Sequence, residues 1–173
     1  MNFQPVIDIV AKHLAVQNAQ SIAVEDGDDD LDCQCRYRLE RNGIVLMCAI
    51  GAILDGHVDV KDLEGLPASD IFQDTSSGFS PELAAVHDQA ANRLKELMPE
   101  GMSTYTFSVY LDSIQHYHDA EDMFFGIPGP RYIQVLAQNL TEEEREARIR
   151  SDLETRIAAV TADIEASQAE GQL

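Results

Sequence analysis

The stretch 33–54, CQCRYRLERNGIVLMCAIGAIL, constrains this chain more than any other, because it holds the strongest turn signal, all three cysteines and the longest apolar run. Asn42-Gly43 separates two runs of alternating residues, and both residues tolerate the positive φ that a two-residue hairpin turn requires. The loop length then sets the register: Arg41 faces Ile44, Leu39 faces Leu46, Tyr37 faces Cys48 and Cys35 faces Ile50. A period of two places Cys33, Cys35, Tyr37, Leu39, Ile44, Leu46, Cys48 and Ile50 on one apolar face. The other face sets Gln34, Arg36, Arg38 and Glu40 opposite Val45, Met47 and Ala49, a half-covered surface. The segment from Cys48 to Leu54 also reads as the first turns of a helix, since periodicity alone does not assign a short apolar run. A strand passing into a short helix near Cys48 satisfies both patterns.

With 173 residues, 45% hydrophobic and 25% charged, the chain can bury one good core. We expect an α+β fold, a small β-hairpin packed against several helices, as a single domain over 1–140 with a helical extension over 141–173. The first helix is predicted over 3–19, with Pro5 tolerated in its first turn and Val6, Ile9, Val10, His13 and Leu14 on its buried stripe. The Gly, Pro, Ser and Asp content of 55–78 predicts loops and at most one helical turn. Ser80-Pro81-Glu82 is a helix start, and Leu83, Val86, His87, Ala90, Leu94 and Leu97 form the apolar face of the helix that follows.

From 105 to 111 the residues alternate like a strand. Phe107, Tyr110, Leu111, Ile114 and His118 nevertheless fit a helical stripe running on to Phe124, and helix is the assignment made here. IPGP should end it, with a short helix over 131–140. Thr141 and Glu144 form a capping box for a last helix over 142–169. Its narrow stripe of Ile149, Leu153, Ile157, Val160 and Ile164 suits either packing across the body or the seam of a homodimer, the latter slightly favoured.

Thirty-one acidic residues against 12 basic give a net charge of −19. A phosphate backbone or an anionic membrane would repel such a surface, so the balance argues against direct nucleic-acid and membrane binding and suits a basic protein partner. Six acids crowd into Glu25, Asp26, Asp28, Asp29, Asp30 and Asp32, most simply a solvated loop and the candidate partner contact. No apolar run approaches bilayer length and the start lacks a signal-peptide pattern, so a cytoplasmic location is expected. Three cysteines without disulfide-like spacing fit a reducing compartment, where they stay buried thiols.

Three chemical constellations compete with a purely structural role. Cys48 at a strand-to-helix junction, with His118 as base and Asp119 or Glu64 orienting it, would make a small thiol enzyme. Cys33, Cys35 and Cys48 on one face, with a histidine, could hold a metal, although C-x-C along a strand spaces its thiolates poorly for one ion. The dipeptides His87-Asp88 and His118-Asp119 could supply ligands to a metal hydrolase. Neighbours on a helix diverge by about 100°, so each pair offers one buried and one outward group. No cofactor or metal is called for by these patterns.

Cys35-Arg36-Tyr37-Arg38, Gly43, Cys48-Ala49-Ile50-Gly51 followed by Ile53, Glu64-Gly65 and Ile114-Gln115-x-x-His118-Asp119 together resemble a group of small phage and prophage proteins. The group shares C-x-Y-R, C-A-I-G-x-x-I, E-G and L-Q-x-x-H-D in this order. The resemblance spans about residues 35–119 and implies no activity. The chain departs from the group by offering Asp55-Gly-His-Val where an acidic pair and a tyrosine usually follow, and by adding the acidic loop and the last helix. A structural network explains the shared residues without catalysis: Cys35, Tyr37, Arg38, Cys48, Gly51, Glu64, His118 and Asp119 would tie hairpin, loop and helix around the core, since buried polar groups need partners. Function then falls to the acidic surface of a phage-type interaction protein, located in the host cytoplasm if phage-encoded, with the Cys48 enzyme as the alternative.

Overall fold

A computed structural model describes residues 2–17, 22–23, 34–35, 37–41, 43–63, 66–72, 79–119, 123–124, 127–128 and 131–169. Helix α1 (Gln4–Val16) precedes two antiparallel pairs, β1 (Ile22–Ala23) with β2 (Gln34–Cys35) and β3 (Arg38–Arg41) with β4 (Ile44–Met47). Helix α2 (Ala49–Leu54), a 3₁₀ turn (Val60–Leu63), α3 (Ala68–Ile71), α4 (Pro81–Glu96) and α5 (Thr104–Asp119) follow. The chain ends with the pair β5 (Met123–Phe124) and β6 (Ile127–Pro128), then α6 (Tyr132–Leu136) and α7 (Glu142–Ala169). The architecture is α+β, mostly helical, with small antiparallel pairs and a long C-terminal helix.

Helix α2 is the centre. All of Ala49–Leu54 is buried, and a helix apolar on every side can only be enclosed. Helices α1, α4 and α5 surround it, and α7 closes the far side by packing on α1 and α5. Val6, Val10 and Leu14 of α1, Ile50 and Ile53 of α2, Phe107, Leu111 and Ile114 of α5, and Ile149 and Leu153 of α7 belong to one core. Within the segment 141–173, expected as a helical extension, α7 buries positions from Ile149 to Val160 against this core. Ile149, Leu153, Ile157 and Val160 are buried within the single chain, so along this stretch the stripe packs across the body against α1 and α5, one of the two readings expected of it.

The caps fall where the residue types place them. Ser80 accepts the amide of Leu83 at 3.2 Å, and Ser103 accepts that of Thr106 at 3.0 Å. Thr141 accepts the Glu144 amide at 3.2 Å while the Glu144 carboxylate takes the Thr141 amide at 2.9 Å, the reciprocal capping box.

Three expectations require correction. The hairpin pairs Arg41 with Ile44 and Leu39 with Leu46 as the turn dictates, with Gly43 at φ 74°, but the ladder stops at Arg38 and Met47. Beyond it Cys48 turns into α2, and Cys35 pairs with Ile22 on a separate ladder, so neither Tyr37–Cys48 nor Cys35–Ile50 is a strand pair. Met47 and Ala49, placed on the half-covered face, are buried as the strand feeds the core helix. Helix α5 ends at Asp119 rather than Phe124, because Met123 and Phe124 pair with Pro128 and Ile127 instead of extending the helix. Between 55 and 78 two short helical segments form where at most one turn was expected. Among the described residues no helix is long and apolar enough to cross a membrane.

Candidate functional site

Three of the residues singled out in the sequence, Tyr37, Cys48 and Gly51, meet at the start of α2, and the reason is local. A helix leaves its first amides without intrahelical acceptors, and here they are enclosed, so other groups must accept them. Cys48 is the N-cap: its Sγ accepts the Gly51 amide at 3.3 Å. Gln115 reaches across from α5 and accepts the Ile50 amide through Oε1 at 3.2 Å. The thiol is 0% exposed, so its sulfur is enclosed while it serves as a cap.

Gly51 is required by contact rather than by conformation. A Cβ at this position would overlap the carbonyl oxygen of Tyr37 and stand 2.7 Å from the carbonyl carbon. The strand before the hairpin thus lies directly on the helix backbone. Tyr37 is buried and donates its hydroxyl to the Leu66 carbonyl, holding the segment before α3 against the hairpin.

A second hub gathers at the end of α1. The Gln17 side chain pairs with the Met47 backbone in both directions, Nε2 donating to the carbonyl at 2.7 Å and Oε1 accepting the amide at 3.0 Å. Tyr132 shares its hydroxyl proton between the carbonyls of Leu14 and Gln17, each at 2.8 Å, and Arg145 reaches Gln17 O at 3.4 Å. The His118 ring is fully buried and stacks on Tyr132 with centroids 5.7 Å apart and planes 18° from parallel. Tyr132 therefore ties α6 to the last turn of α1 and to α5.

Burial perturbs several groups. His13 is half-buried, its Nε2 is enclosed without a hydrogen-bond partner, and desolvation holds its pKa below the usual imidazole value, more than its bond to Gln17 and the charge of Asp55 raise it. Asp112 is pushed up to about 6 by burial, although it accepts the Ala68 amide at 3.1 Å and His116 lies nearby. Asp152 is raised by burial against the pull of Arg148, 3.0 Å away. Tyr117, 3.5 Å from Asp152, and Tyr132 are raised well above the ordinary phenol range, chiefly by desolvation.

Of the sequence-predicted residues, the structure brings Tyr37, Cys48 and Gly51 together and buries His118 on the neighbouring α5. Arg38 is exposed on β3. Glu64, Cys33 and the acidic positions Glu25, Asp26, Asp28, Asp29, Asp30 and Asp32 lie outside the described residues, as do the side chains of Cys35 and Asp119. Cys35 stands on a ladder separate from the hairpin that leads into Cys48. Among the described residues no group of three His, Cys, Asp or Glu side chains is arranged to hold a metal ion. His87 is buried against Phe79 while Asp88 points outward, so that dipeptide diverges as helix geometry requires.

Gln17, Asp112 and Tyr132 were not anticipated, nor was the burial of Asp152, beside Arg148, and of Arg156, which donates to Ser113. Tyr132, set in a Pro- and Gly-rich stretch just before a short helix, carried the one usable signal, since a buried tyrosine hydroxyl needs an acceptor. Comparison with protein families, curated proteins and solved structures finds no match for the chain.

Proposed function

We propose that the chain is a phage-type acidic interaction protein that binds a basic protein partner, such as the nucleic-acid-binding surface of a defence or replication factor. The contact is assigned to Glu25, Asp26, Asp28, Asp29, Asp30 and Asp32. One observation carries the proposal. The pairing of Ala23 with Gln34 and of Ile22 with Cys35 closes a neck whose connection, residues 24–33, contains all six acids. Six acids within eight consecutive residues present a partner with a concentrated charge, and at −19 overall the rest of the molecule reinforces the attraction. The polar groups around α2 support the proposal indirectly, because Cys48, Gln115 and Tyr37 are engaged in holding backbone.

Capture from a host lysate tests it, at low and at high salt, with the chain and with a variant carrying Asp28→Asn, Asp29→Asn and Asp30→Asn. A basic protein retained at low salt, released at high salt and lost or weakened with the variant is the expected result. Rim charges mainly steer encounter, so the variant should slow association more than it speeds dissociation. Retention indifferent to both salt and the substitutions would move the contact away from the acidic connection.

A further inference from the structure

Residues 66–72, which include α3, form a strap packed on α4 and α5. Ala68 and Ile71 are buried beneath it, and Phe72 sets its ring against Phe107 of α5, centroids 6.1 Å apart. Two side chains from different elements hold its backbone. Tyr37, on the hairpin side, donates its hydroxyl to the Leu66 carbonyl, and Asp112, on α5, accepts the Ala68 amide. Pro67, the N-cap of α3, offers no side-chain acceptor, so the α5 carboxylate takes that place. Among the described residues, the titratable groups facing Asp112 are Asp70 from α3 and His116 from its own helix, whose Nδ1 lies 2.6 Å from the Asp112 carbonyl.

We propose that this strap is a proton-controlled clasp: with Asp112 protonated it stays shut over α5, and with Asp112 ionised it lifts more readily. A shut clasp holds a carboxylate away from water and close to the like charge of Asp70, whereas an open one returns it to solvent. The amides of Ala68 and Ser69 and the neighbouring His116 offset only part of that cost. Lifting would uncover the apolar undersides of Ala68 and Ile71 together with the α5 surface beneath them. The clasp is independent of the acidic connection and of whatever that connection binds.

Hydrogen exchange of the full chain at pH 5.0 and 7.5, each rate corrected for intrinsic exchange, reads the opening directly. Asp112 moves from an ordinary carboxylate value when exposed to about 6 when shut. Protection of the strap amides should therefore fall severalfold, up to about tenfold, between the two pH values. Amides in the middle of α4 and α7 should not follow. Asp112→Asn should abolish the pH dependence. Should that variant fail to fold, an NMR titration of the Asp112 carboxyl in the unaltered chain should follow the same midpoint as the loss of strap protection, and a mismatch overturns the clasp. Equal strap protection at both pH values in the unaltered chain, or an undiminished fall in a folded variant, overturns the clasp.

Discussion

At residue scale the most consequential contact is the one Gly51 makes by having no side chain. A methyl group there meets rigid backbone, the Tyr37 carbonyl, on a helix enclosed on all sides. Neither side can give without moving the hairpin or α2. Gly51→Ala should cost about 3 kcal/mol or more, at the upper end of overpacking effects. At Gly43, where a Cβ meets nothing within 4 Å but φ is 74°, the same change should cost only about 1 kcal/mol of backbone strain. Urea unfolding of the two variants gives the comparison, and equal costs would contradict the close approach. His13 gives a prediction of opposite pH sense to Asp112. Its pKa is depressed in the fold, so its contribution to stability is present above about 6.5, the unfolded value, and is lost as pH falls through the folded value. His13→Gln should therefore flatten the loss of stability below pH 6.5 and leave the alkaline side unchanged, as urea midpoints measured across that range would show.

At element scale α7 decides how the molecule holds together. It lays Ile149, Leu153, Ile157 and Val160 on α1 and α5, and Arg150 adds an ion pair to Asp8 of α1. Leu153→Ala should thus cost about 2–5 kcal/mol, as large-to-small changes in a core do. The pair Leu153→Glu and Ile157→Glu should unfold the chain; a folded chain of reduced mass by light scattering would restore the seam expected from the sequence. Much at this scale was legible, because caps are chemical. Ser80-Pro81, Thr141 with Glu144, and Asn42-Gly43 each name a boundary through a donor, an acceptor or a permitted φ. The helical stripe of 104–119 prevailed over its strand-like alternation since Phe107, Tyr110, Leu111 and Ile114 all face the core. The two-residue ladders were not legible, being too short for any period to register. Nor was Gln17: it matters through the Met47 backbone, and nothing in its own neighbourhood marks a partner 30 residues away. The hairpin face was over-extended for a related reason, as a run of apolar residues does not say where a strand becomes a helix. For the site, the sequence pointed to Cys48, Gly51 and Tyr37, but the capping and clasping roles became visible only with the backbone in place.

At the scale of the whole molecule, net charge sets two responses to salt that run in opposite directions. With 31 acids against 12 bases the folded chain repels itself, since compaction brings like charges together. Raising ionic strength from low values shortens the screening length, to about 8 Å at physiological salt, and relieves that repulsion. The thermal midpoint should rise by a few degrees between about 10 and 150 mM NaCl, the range over which screening grows fastest. The triple change Asp28→Asn, Asp29→Asn and Asp30→Asn removes three of the crowded charges, so it should raise the low-salt midpoint slightly and reduce the salt increment. Binding to a basic partner should respond in the opposite sense, weakening as the same ions screen an attraction. Measuring both on one preparation separates the two effects. A partner lost at high salt while the fold grows more stable is released by screening, whereas a partner lost together with the fold would mean that salt acts on the protein itself. A midpoint that falls with added salt would show that the ion pairs, such as Arg148 with Asp152 and Arg150 with Glu146, outweigh the excess of acids, and self-repulsion would no longer describe this molecule.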